Sequence, residues 1–327
     1  MDEFRARLRG RLNSPRNRPP VPPKPVSPPV PNIPINTDDA LDQAQSPLFS
    51  AIPPEIRNQI FRLALKEYVD PEKPYDTQTY WKRPGVEGPT RIDTALMRTC
   101  KRVWGETRVL PGKEFEPIFY FGQKSRAPTE YVYIPYTHTV YGHPIMRHNR
   151  DEVLGSIKHI HIFPQMYALR TGLDRLFDAS RPNLAPSRMT LTFRYTDWWN
   201  WEINEPIHPF LPNRFIEMRH IVLPPCINTL TVEFEHTESK VNQLDSVVGE
   251  MFRRRDWWCW RRSDGRKLVV RGENAKEEGA VKMWKWEGPT MFKEGHTQVM
   301  RRYPHHGQGD SMGYVVKVLT WELEKEN

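Results

Sequence analysis

At 327 residues, with 38% hydrophobic and 11% aromatic residues, the chain suits one large or two modest globular domains and is too rich in core-forming residues to be disordered throughout. Its net charge is +8, but residues 1–36 hold seven Lys/Arg against two acids, so the rest is nearly neutral and a generally basic nucleic-acid surface is not indicated. No apolar run approaches about 18 residues and the first residues lack an apolar stretch, which argues against a membrane span and a secretory signal.

Cys100, Cys226 and Cys259 are odd in number and far apart. They form neither a disulfide framework nor a zinc pattern, and an intracellular, reducing compartment (cytoplasm or nucleus) is expected.

Residues 1–45 read as a disordered basic and proline-rich tail. Phe4, Leu8 and Leu12 are spaced four apart among arginines, a pattern that a basic amphipathic helix also shows. Pro19-Pro20-Val21-Pro22-Pro23-Lys24 fits the PxxPx(K/R) pattern of SH3 ligands, with polyproline II geometry preformed. A plain linker has the same composition.

From Ser46 the pattern changes. Pro54 suits a first helical position, where its missing N–H costs nothing. Ile56, Ile60, Leu63 and Ala64 then recur at i, i+4, i+7 and i+8, which predicts a helix with that face on a core. Leu48, Phe49 and Ile52 precede it as a staple. Ile52-Pro53-Pro54-Glu55-Ile56-Arg57-Asn58-Gln59-Ile60-Phe61 resembles the opening of an F-box, and more closely that of a group of F-box-like fungal proteins in which Glu-x-Arg recurs. In F-box proteins this element docks on the adaptor subunit of a cullin–RING ubiquitin ligase. The resemblance implies the same partner here, contacted by Ile52, Pro53, Ile56 and Ile60.

Residues 70–92 hold four prolines and two glycines and read as a long surface loop. Leu96, Cys100, Val103, Trp104 and Thr107 follow at helical spacing, stopped by Pro111-Gly112, with Cys100 expected as a buried small hydrophobe. This segment resembles the second half of the same unit, with Glu106-Thr107-Arg108 placed later than in the group's usual pattern.

Phe115 to Ile134 alternate as short strands. Ile157–Phe163 alternates strictly, so His159 and His161 share one face; a metal pair is one reading and an exposed polar face the other. Met189–Phe193 begins as a strand and runs into Arg194-Tyr195-Thr196-Asp197-Trp198-Trp199. The run resembles a signature of the fungal group. Its tryptophans suit a pocket wall or a partner anchor, with Arg194 and Asp197 pairing, though core packing at a sheet edge is the simpler explanation.

Asn228–Glu235 is a further alternating strand. A helix is expected from Glu238 to about Arg255, with Val241, Leu244, Val248, Met251 and Phe252 on one face. Arg253, Arg254, Arg255, Trp257, Trp258, Arg261 and Arg262 then interleave cations with aromatic rings, the composition of a single-strand nucleic-acid site. Helix-end arginines and packed tryptophans explain the same run.

Strands are expected at Lys267–Val270, Lys282–Pro289 and Tyr314–Trp321. Between the last two lies His305-His306-Gly307-Gln308-Gly309-Asp310, a stretch that also resembles the fungal group. His305, His306 and Asp310 suit acid–base or ligand chemistry, or sit in an exposed glycine-rich loop.

No phosphate-binding loop, nucleophile elbow, zinc-protease or kinase motif is present, so no enzyme class, cofactor or metal is indicated. The sequence therefore predicts an α+β fold: a tail (1–45), an F-box-like helical region (46–125) with loop 70–92 inserted, and an α+β domain (126–327) whose mixed sheet carries crossover helices, either separate from 46–125 or continuous with it, since residues 111–156 offer no clean linker. Three functional readings stand: a protein–protein interaction module docking on the ligase adaptor; a ligand or enzymatic pocket of Arg194, Asp197, Trp198, Trp199, His305, His306 and Asp310; and nucleic-acid binding through 253–262.

Overall fold

Pro47 and Pro54 each open a helix: α1 spans Pro47–Ser50 and α2 spans Pro54–Ala64. The computed structural model describes residues 36–134, 139–143, 151–178, 184–207 and 220–324. The basic segment 1–13 and the Pro19–Lys24 match lie outside the described residues. Thr37–Asn327 form one compact unit, with no division near residue 125. Asp39 and Asp42 pair with Lys101 and Arg102 at 2.7 and 2.9 Å, so the body begins ahead of Ser46.

The inward face of α2 differs from the expected one. Arg57 and Phe61 are buried on the helix, as is Leu65 just beyond it, whereas Ile56, Ile60 and Leu63 face outward. Phe61 and Leu65 pack with Met97, Val103 and Leu110 into a core of their own. The predicted 94–110 helix is also broken. A 3₁₀ turn at Leu96–Arg98 leads to α3 (Lys101–Thr107), and Pro111 lies in the first turn of α4 (Leu110–Glu114) rather than stopping a helix. Cys100 is half-buried at the N-cap of α3, its Sγ 3.5 Å from the Val103 N–H.

Strands β1 (Tyr68–Val69) and β2 (Thr90–Arg91) pair antiparallel and close off the segment between them. The remaining elements are β3 (Ile118–Phe121), β4 (Val132–Tyr133), β5 (Val140–Gly142), α5 (Asp151–Ser156), β6 (His159–Pro164), α6 (Leu169–Leu176), β7 (Arg188–Phe193), β8 (Val222–Leu223), β9 (Thr229–Thr237), α7 (Val241–Arg253), β10 (Trp260–Arg262), β11 (Lys267–Val270), β12 (Val281–Pro289), β13 (Met291–Lys293), β14 (Met300–Arg302) and β15 (Ser311–Leu323). Eleven of the strands make one mixed sheet in the order β4-β5-β3-β6-β7-β9-β15-β11-β10-β8, with β12 also paired to β15. β3, β6, β7 and β9 are parallel, and β15 returns antiparallel to β9. The chain is thus α+β.

The two faces of the sheet differ in chemistry. Ile160, Ile162, Leu191, Phe193, Leu230 and Val232 make an apolar face. Helices α6 and α7 cover it: Gly172 of α6 abuts Phe121, and Asp245 of α7 pairs with Lys317 of β15. The alternating partners His159, His161, Thr190, Thr192, Glu233 and Glu235 point the other way.

The 70–92 segment covers that polar face and is not a surface loop. Thr79, Tyr80, Trp81, Arg83 and Val86 are buried, and Arg83 lies 3.1 Å from Glu233 and 3.5 Å from Glu235. The sheet's buried carboxylates need a cation, and this segment supplies it.

Candidate functional site

Of the proposed contact residues, Ile56 and Ile60 are exposed on α2, and Leu63, not among them, extends the same face. Ile56 is 47% exposed, Ile60 38% and Leu63 75%, on successive turns of one helix face. Pro53 at the helix start is exposed and Ile52 half-buried. Arg57 fixes this roll. Its Nε donates to Glu106 Oε2 at 2.9 Å, Nη2 to Oε1 at 3.3 Å, and Nη1 to the Ile52 carbonyl at 3.2 Å. The guanidinium also lies over the Phe49 ring, 4.9 Å from its centroid. Sequence reasoning did not single out Glu106 as the partner. The available signal was the second Glu-x-Arg triplet, Glu106-Thr107-Arg108.

The residues proposed for a pocket are partly brought together. β7 ends at Phe193, and the chain turns through a 3₁₀ segment at Tyr195–Asp197. Arg194 donates from Nε to Asp197 Oδ2 at 2.6 Å, from Nη2 to Oδ1 at 2.9 Å, and from Nη1 to the Tyr80 carbonyl at 3.1 Å. Both residues are 3% exposed. The pair therefore staples the 70–92 segment to the strand end and presents no group to solvent. Trp198 is buried, its Nε1 donating to the Glu235 carbonyl at 2.8 Å; Trp199 is half-buried.

His305 and His306, on a 3₁₀ turn at Pro304–His306, converge on Tyr195. The phenol oxygen is 2.6 Å from His305 Nε2 and 2.7 Å from His306 Nε2. Thr290 O, an acceptor only, is 2.6 Å from His306 Nδ1, so that nitrogen carries the proton. His306 Nε2 then accepts from the Tyr195 hydroxyl, whose oxygen accepts from His305 Nε2. Burial raises the Tyr195 phenol and lowers both histidines, leaving all three neutral near pH 7. His306 is buried, not exposed in a glycine loop as one reading had it. Asp310 is exposed and lies 3.8 Å from Arg302, away from this cluster. The adjoining cavities, lined by Trp198, Trp199 and His236 and by Arg194, Tyr195 and Glu235, each offer about 10 Å³, room for about one water. The two distant segments meet as packed core.

Most charges of the 253–262 run are engaged within the fold. Arg253 and Arg254 pair with Glu250 at 2.8 and 2.6 Å, Arg255 donates to the Val270 carbonyl at 3.0 Å, and buried Arg262 pairs with Asp264. Trp258 is buried and Trp257 half-exposed, while Arg261 is exposed. The adjoining cleft carries Arg253, Arg255, Arg266, Lys267 and Arg271 against Asp256, Glu273, Glu277, Glu322 and Glu324, a balanced set with no net pull on phosphate.

His159 and His161 form neither an exposed polar face nor a metal pair. Their Nε2 atoms bond Thr190 and Thr192 at 2.9 and 2.8 Å, and Glu116 approaches both Nδ1 atoms at 3.2 and 3.7 Å. Among the described residues no group of three or more His, Cys, Asp or Glu is placed to hold a metal ion. No helix among them is long and apolar enough to cross a membrane.

No family model, curated protein or solved structure matches the chain.

Proposed function

We propose that the chain is a protein–protein interaction module whose α2 face docks on the adaptor subunit of a cullin–RING ubiquitin ligase, as its resemblance to F-box-like proteins implies. The observation that carries this reading is the outward apolar row Ile56, Ile60 and Leu63, on a helix whose opposite face is fixed by Arg57, Phe61 and Leu65. Burying the exposed part of one such side chain is worth about 1–2 kcal/mol, so the row is a suitable interface centre. A helix already held in place loses little further freedom on binding. Neither the closed cluster around Tyr195 nor the balanced charges near Arg253 offers a partner a comparable surface.

Lysine-directed cross-linking of the full chain with purified adaptor tests the reading. Cross-links from Lys66, exposed at the end of α2, are expected. Absence of a complex, or cross-links confined to Lys282 and Lys285 on β12, would place the function elsewhere.

A further inference from the structure

The segment between β1 and β2 has a second side, unused by the docking reading. With the ends of α4 and the turn before Tyr131 it walls an open cleft of about 1070 Å³. That volume is of the size small-molecule sites have. Its aromatic walls are Tyr68, Tyr75, Trp81 and Phe115, and prolines stiffen it at 74, 89, 111 and 128.

Tyr75 and Trp81 meet edge to face, with centroids 6.3 Å apart and planes at 85°, making an aromatic corner. Glu130 lines the same cleft, and the Tyr75 hydroxyl donates to its Oε1. That bond orients the carboxylate, and the Thr129 hydroxyl donates to its other oxygen at the longer distance of 3.4 Å. His143, in the wall beside Phe115, is lowered by burial and brings no positive charge at neutral pH. On the rim, Arg91 lies 2.9 Å from Asp70, and the lining carries Asp93 as well as Lys73.

We propose that this cleft binds a small alkylammonium ligand. Ring faces and the Glu130 carboxylate attract the cation. The ligand class follows from the pairing of aromatic rings with a carboxylate; rings alone would take any apolar group.

Choline and its neutral carbon isostere dimethylbutanol test the charge requirement at constant shape, with benzoate as the anionic probe for Lys73 and Arg91. Each is titrated into the full chain by calorimetry, and ligand-observed NMR maps the contacts of the choline methyl protons. Saturable choline binding is expected, at least about ten-fold tighter than the isostere, with methyl contacts to the Tyr75 and Trp81 rings. Glu130→Gln is expected to erase that ten-fold preference while near-ultraviolet circular dichroism stays unchanged. If Glu130→Gln disturbs the fold, the isostere comparison and the methyl contacts in the unmutated chain decide alone. Equal affinity for choline and isostere, a preference for benzoate, contacts elsewhere on the protein, or no saturable choline binding below about 10 mM would overturn the proposal.

Discussion

Arg57 on α2 and Glu106 on α3 form a two-pronged ion pair, at 2.9 and 3.3 Å, between residues 49 apart in sequence. Neighbouring helix positions lie about 100° apart, so turning Arg57 inward turns Ile56 outward. The pair holds two helices together and selects which face of α2 meets solvent.

Replacing Arg57 tests this. Arg57→Met removes the donor to Glu106 and to the Ile52 carbonyl, and is expected to lower stability by about 2–3 kcal/mol in urea unfolding. The loss is below that of a fully buried pair because Glu106 is 28% exposed and also lies 3.5 Å from Arg102. Arg57→Lys is expected to recover little, since an ammonium lacks the fork. Full stability in Arg57→Met would remove the pair as a determinant of the roll.

Asp197→Asn separates a structural staple from a ligand site. Arg194 would keep its charge in a buried setting without its paired carboxylate, leaving only the more distant Glu235, a cost of about 3 kcal/mol. Amide exchange should quicken around Tyr80, whose carbonyl Arg194 holds. A stable variant with protected Tyr80 amides would mean that the pair has another role.

Mild acid should destabilise the fold through its buried histidines. Burial lowers His161 to about 4 and His236 to about 3, with Lys240 and His305 also acting against a charge on His236. Each is neutral in the fold and binds a proton more readily in the unfolded chain, near the ordinary value of about 6.5. Their contribution is therefore fully present above about pH 6.5 and is lost as pH falls from there toward the folded values, at up to about 1.4 kcal/mol per unit for each group. Urea unfolding at several pH values between neutral and about 5 measures the slope. His236→Asn should flatten it. A slope unchanged by that substitution would assign the acid sensitivity to other groups.

Gly172 reverses a usual rule. Gly→Ala inside a helix ordinarily stabilises by about 1 kcal/mol. At Gly172 a Cβ would fall 2.2 Å from a ring carbon of Phe121. Gly172→Ala is expected to destabilise by about 1–3 kcal/mol, read as a lower thermal midpoint. A raised midpoint would mean that α6 and β3 separate easily.

The parts legible in the sequence are those with one dominant period. The stripe Leu244, Val248, Met251 and Phe252 matches the buried face of α7, and the alternation through His159–Phe163 matches β6. The roll of α2 was not legible because apolar residues lie on two of its faces, and the choice between them depends on Glu106. The 70–92 segment misled for a related reason. Its Pro and Gly residues signal irregular backbone, but burial is decided by Tyr80 and Trp81, which pack into the core, and by Arg83, which answers carboxylates on β9. The meeting of Tyr195 with His305 and His306, more than a hundred residues apart, depends on the return of β15 beside β9, which local periodicity does not encode.

The most direct test of the docking account is calorimetric titration of purified adaptor into the full chain and into Ile56→Asp/Ile60→Asp. Both positions are exposed, so the variant should unfold within about 1 kcal/mol of the parent. The account predicts saturable binding by the parent and at least about a hundred-fold loss in the folded variant, as expected when a hot-spot centre is charged. Equal affinity in the two, or no binding by the parent, would contradict it.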